Sequence, residues 1–171
     1  MEATTTNTHK NLGAFIHLST FLKYFFPFAN FFAPLLLWTF NKENEFVDHH
    51  GKQAINFQLS LFVYTLLIGL LCLPFFLLFV TDFVSLIDAV EHTARDIHFS
   101  DIRNLSGYIL LFFLIVLLLF GLFVLELYAV ISATLRAAQG EEYKYPLCIP
   151  FIKTTPRASS GQKQSNNEHT S

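Results

Sequence analysis

Charged residues in this chain fall in short blocks, and long apolar runs lie between them. A helix that crosses a membrane needs about 20 mostly apolar residues, because every backbone N–H and C=O in hydrocarbon must be satisfied internally. Three stretches have that length. In the third, at about 104–138, the run from Asn104 to Leu135 is interrupted by one charge, Glu126. The second, 53–81, carries no charge, and its Gly69 and Pro74 are tolerable as a kink. The first, 12–40, holds His17 and Lys23 in its opening half and two helix-breaking prolines, Pro27 and Pro34. It is expected to cross with a kink if Lys23 reaches the interface, re-entry being the alternative. Trp38 would then mark an interface.

Between the second and third runs, Asp82 can cap a helix whose stripe is Phe83, Ile87, Val90, Ala94 and Ile97, with Asp88, Glu91, Arg95 and Asp96 elsewhere. The linker 82–103 therefore reads as an amphipathic helix on the membrane surface or on the protein's own loops. Residues 1–11 form a polar N-terminal tail without the basic start of a signal peptide. Residues 153–171 lack apolar groups to bury and read as a disordered tail. The expected fold is an all-α integral membrane bundle over 12–152, with three membrane segments and an amphipathic interfacial helix.

Composition agrees. The chain is 53% hydrophobic and only 14% charged, and 21 of its residues are Phe, far from the balance of a soluble domain. Net charge is −2 with no basic stripe, so nucleic acid is excluded as a partner. The lipid bilayer, other membrane proteins or further copies of the chain are the partners expected. Cys72 lies in an apolar run and Cys148 in the polar tail, so both are read as free thiols.

Lys and Arg near segment ends stay in the cytoplasm. With three crossings, Lys42, Lys52, Arg136, Lys144, Lys153, Arg157 and Lys163 share one side, against Lys10, Arg95 and Arg103 on the other. That puts the N-terminus outside and the C-terminus in the cytoplasm of a bacterial inner membrane. Re-entry of the first segment would move Lys10 to the cytoplasmic set.

Two polar blocks abut the firmest helices: DHHGKQAINFQ, Asp48 to Gln58, and AAQGEEYKYPLCIPFI, Ala137 to Ile152. In the first, Asp48 can cap the helix, His49 and Lys52 lie in its opening turns, and Asn56 and Gln58 enter the membrane. In the second, Gly140 ends the third helix, with Arg136 opposing the negative dipole end. Tyr143, Tyr145 and Pro146 then open an aromatic strip over 141–152 that folds back along the headgroups and packs on the first motif, with both tyrosines near Lys52, Gln53 and Asn56. Glu126 should find a partner in Gln58, Asn30 or both, since an unpaired charge in hydrocarbon costs at least a few kcal/mol.

With HLSTFLKYFFPFANFFAPLLLW at the front, these blocks resemble a small bacterial membrane family of unknown function that is grouped with the Tic-twenty-like subunits of the plastid protein-import channel. The resemblance covers roughly 12–152. It implies a multi-pass binding or scaffolding module linked to protein translocation or membrane-complex assembly.

Catalytic chemistry has no visible carrier: there is no nucleophile with a paired base, no phosphate-cradling glycine loop and no paired carboxylates. His49 and His50 with Cys148 lack the spacing of a metal site, and no cofactor is expected. Asn104-Leu-Ser106 matches a glycosylation sequon by chance beside a helix. The alternative function is a small transporter or channel subunit with a polar path through an oligomer.

Overall fold

A computed structural model describes residues 6–92 and 99–153. These form four α-helices: α1 (Asn7–Ser19), α2 (Ala29–Thr39), α3 (Glu45–His92) and α4 (Phe99–Gln139), with a 3₁₀ turn over Thr20–Tyr24. There is no strand among the described residues. At about 1.5 Å per residue, the 48-residue α3 is ~72 Å long and the 41-residue α4 ~62 Å. Both are long and apolar enough to cross a membrane; α2, with 11 residues, is not.

The first apolar segment folds back on itself. Pro27 disfavours helical backbone at Phe26 before it, and Phe28 takes up a left-handed conformation, φ 63°, so the chain reverses between α1 and α2. Contacts fix the levels. Lys10 lies over Gly140, and His17 bonds to His50. Lys23 meets Glu126, Asn30 meets Gln58, and Trp38 returns to Asp48. The chain thus rises from the ends of α3 and α4, turns near Phe62 and Phe123, and descends again. The segment 12–40 is a hairpin that brings Lys10 and Lys42 to one end, here called the base; it turns back, the re-entrant alternative to the expected kinked crossing.

The core sits at the base. Ile16, Val47 and Ala54 form one buried cluster; Phe57, Leu61, Ala129, Val130, Ala133 and Tyr145 form the other. Ala129, Ala133 and Ala137 recur every fourth position on α4, and small residues on one face let the backbones approach closely. Gly51 serves the same end on α3: a Cβ there would strike the Trp38 ring. Beyond Leu61 on α3 and before Leu122 on α4, large apolar side chains such as Leu67, Leu71, Leu110 and Phe113 are exposed.

Among the described residues, no separate amphipathic helix appears over 82–103. Residues 82–92 continue α3 and 99–103 begin α4. Extending a running helix fixes one residue per hydrogen bond, whereas a new one needs a costly nucleus. Asp82 accordingly caps nothing and accepts a hydrogen bond from Tyr108 Oη at 2.6 Å. Residues 93–98 and the expected C-terminal tail after Lys153 lie outside the described residues.

Candidate functional site

The base encloses a polar seam that rises in three layers. The lowest is built on helix ends. Asn44 Oδ1 accepts from Val47 N–H at 3.2 Å, which makes Asn44 the N-terminal cap of α3. Asp48, expected as that cap, lies inside the first turn, where it accepts from Trp38 Nε1 at 2.9 Å and pairs with Lys52. At the far end of α4, Gly140 has φ 85° and the Glu141 amide closes on Arg136 O at 2.9 Å, a left-handed terminus suited to glycine. The Lys10 side chain lies against Gly140, where its positive charge suits the negative end of α4.

Above it, Tyr145 Oη lies 2.8 Å from His17 Nδ1, and His17 Nε2 lies 2.7 Å from His50 Nδ1. All three residues are buried. A buried hydroxyl with one partner satisfies its hydrogen only by donating to it. Tyr145 therefore donates to Nδ1 of His17, and the remaining His17 Nε2–H donates to His50. Burial, then the neighbouring His50 and His49, holds the His17 imidazole well below its ordinary pKa, so it is neutral. Burial pushes the Tyr145 phenol well above its usual value. Phe57 stacks on Tyr145 with ring centroids 4.1 Å apart.

The top layer is ionic. Lys23 Nζ bonds to Glu126 Oε2, Gln58 Nε2 donates to Glu126 Oε1 at 3.2 Å, and Asn30 Nδ2 donates to Gln58 Oε1 at 2.9 Å. Both Glu126 oxygens and the Gln58 carbonyl are thereby satisfied. The hairpin tip, α3 and α4 are tied at one point.

One flank of the seam is closed by the strip after α4. Asn56, Ser60 and Tyr64 share a face of α3 at four-residue spacing. Asn56 donates to Ile152 O and accepts from Ile152 N–H, both at 2.8 Å. Ser60 Oγ accepts from Ile149 N–H at 2.8 Å, and Tyr64 Oη donates to Leu147 O at 2.7 Å. Three side chains thus satisfy backbone groups that no helix or sheet satisfies. Pro146 opens the turn that starts this run, with Leu147 at φ 51°.

The motif residues therefore divide. Gln58, Asn30, Glu126 and Tyr145 converge inside the seam, and Asn56 holds the strip on its flank. Lys52 pairs with Asp48, and Tyr145 docks on His17 and Phe57. Tyr143 packs edge-on to Tyr145 at 5.2 Å, and His49 faces Glu142 at 3.8 Å. His49, His50 and Cys148 are not brought to one centre: His50 bonds His17, His49 turns to Glu142, and Cys148 packs against the Phe57 cluster. No group of three or more His, Cys, Asp or Glu suited to a metal ion occurs among the described residues. Sequence reasoning missed His17, Lys23, Ser60 and Tyr64 as members. Their signal was polarity inside apolar runs.

The family model for the MamF/MmsF magnetosome magnetite crystal formation proteins matches residues 8–152. No curated protein and no solved structure matches the chain. The family match corrects the resemblance to Tic-twenty-like proteins and leaves the translocation link without support. The motifs that carried it, around Asp48–Gln58 and Gly140–Ile152, chiefly end α4 at Gly140 and hold the strip through Asn56, so they report architecture more than task.

Proposed function

This chain belongs to the magnetosome magnetite crystal formation protein family, and from that premise we propose that it is a non-enzymatic scaffold in the membrane around a growing magnetite crystal. The observation that carries the reading is the extent of the match, which runs from α1 to the end of the strip and so takes in the whole base.

Charge spacing supports a membrane placement. From Lys52 to Asp82, α3 has no charged residue, a rise of ~45 Å that equals a bilayer with its headgroups. The gathering of Lys10, Lys42, Lys52 and Arg136 at the base supports a cytoplasmic base, with the α3–α4 connection on the crystal side. A scaffold is favoured over a transporter because the polar seam occupies the base half of α3, while the stretch from Leu66 to Val80 is apolar but for Gly69 and Pro74.

Deleting the chain from a magnetite-forming bacterium and measuring crystals by electron microscopy tests the reading. Crystals altered in number, size or shape are expected, with restoration by the wild-type chain. Crystals indistinguishable from the parent's would overturn it.

A further inference from the structure

We infer that this protein is a one-leaflet wedge whose hairpin is covered by acyl chains of the base-side leaflet, and that it therefore favours membranes convex toward its base. The inference rests on the membrane placement and orientation proposed above but not on the role in crystal formation.

At the level of the hairpin four helical segments share the cross-section; past the hairpin tip only α3 and α4 continue. Each helix with its side chains is about 10 Å across, so the hairpin adds ~160 Å² to one leaflet and nothing to the other. Its depth follows from neighbours. Phe31 packs edge-on against Phe62, and Phe62 lies ten residues, or ~15 Å, above Lys52, which is half of a 30 Å hydrocarbon core.

At the tip, Phe25, Phe26 and Phe28 are 79%, 69% and 64% exposed. The nearest charge along the chain, Lys23, is tied to Glu126, so the three exposed tip rings have no free charge beside them to hold them in water. It cannot withdraw, because Lys23–Glu126 and Asn30–Gln58 pin it near the top and Trp38–Asp48 pins its return arm at the base. Extra area fixed in one leaflet is accommodated where that leaflet is the outer, stretched side of a curved membrane, and apolar insertion into an interface is sensitive to curvature.

The test uses the full chain, dye-labelled and reconstituted into mixed phosphatidylcholine–phosphatidylglycerol vesicles of ~30 nm and ~400 nm, imaged singly. We expect about threefold more protein per lipid area on the small vesicles, with the base outward by impermeant maleimide labelling of a Glu45→Cys variant. The variant F25S/F26S/F28S retains every pinning pair; with helicity and detergent elution checked as unchanged, it should spread evenly. Equal density of the wild-type chain on both sizes, a base that faces inward, or a tip variant that sorts as strongly would overturn the wedge. So would exclusive dimers crosslinked tip to tip, since a second copy would then cover the aromatic residues. Lost sorting with crystal defects retained in cells would sink the wedge alone, and intact sorting without crystal defects would sink only the role in crystal formation.

Discussion

Lys23 and Glu126, 103 positions apart, form an ion pair at the hairpin tip with side chains only 25% and 5% exposed. Breaking such a pair leaves one buried charge alone, whereas replacing both partners by apolar residues is often neutral. Lys23→Met or Glu126→Leu alone should each destabilise by about 3–5 kcal/mol, and the double variant should regain most of the loss. Thermal unfolding in mild detergent reads all three. Additive losses would mean that the pair is not coupled. Glu126→Gln keeps the contact with Gln58 and should fall between, because Lys23 loses its counter-ion.

The hairpin places the start of α1 at the base. In a background without Cys72 and Cys148, single cysteines at Thr8 and Glu45 should therefore share one behaviour toward an impermeant maleimide in intact cells, and one at Asp88 should show the opposite. Protection is expected at the first two. Labelling of Thr8 with protection of Glu45 would require a true third crossing.

Asn56 holds both backbone groups of Ile152. Asn56→Leu leaves them unpaired in an apolar setting, a loss of roughly 1–3 kcal/mol per group. Residues 147–152 should then detach while the helices stay folded. Faster amide exchange at Ile149 and Ile152, with α4 unchanged, is the expected signature. Unchanged exchange would show that Ser60, Tyr64 and the Tyr145 stack hold the strip without Asn56.

Burial keeps His17 neutral in the folded protein, so its pKa lies below the ordinary value of ~6.5. Below that value an unfolded chain binds a proton that the native chain does not, and stability is lost as pH falls. Between pH 7 and 5 the melting temperature should drop. In His17→Gln the drop should shrink; an undiminished slope would move the effect to another group. Tyr145→Phe removes the donor to Nδ1 and should lower stability by about 1 kcal/mol or more at pH 7.

Phe28 carries a left-handed backbone at a cost of about 1–2 kcal/mol for a residue with a Cβ. Phe28→Gly should raise the melting temperature or leave it unchanged, since relief of strain opposes lost contact. A clear loss would show that the aromatic ring itself holds the turn.

Periodicity and charge spacing alone made α3 and α4 legible, because the need to satisfy a backbone in hydrocarbon leaves an unmistakable apolar length. The end of α4 at Gly140 was legible for a similar local reason: a left-handed residue favours glycine. A partner for Glu126 could be demanded from the cost of a lone charge, and Gln58 found from its depth along the helix. Other features had no local signature. Whether 12–40 crosses or turns back depends on contacts between His17 and His50, Lys23 and Glu126, Trp38 and Gly51, each between residues far apart in the chain. Lys23 looked like a side chain that would reach the interface because its counter-ion lies 103 residues away. The Asn56–Ser60–Tyr64 face likewise gained meaning only once the strip lay on it. Length, hydropathy and chain termination are properties of one segment, so sequence determines them; which polar groups satisfy one another is a property of several segments packed together, and only the tertiary structure decides it.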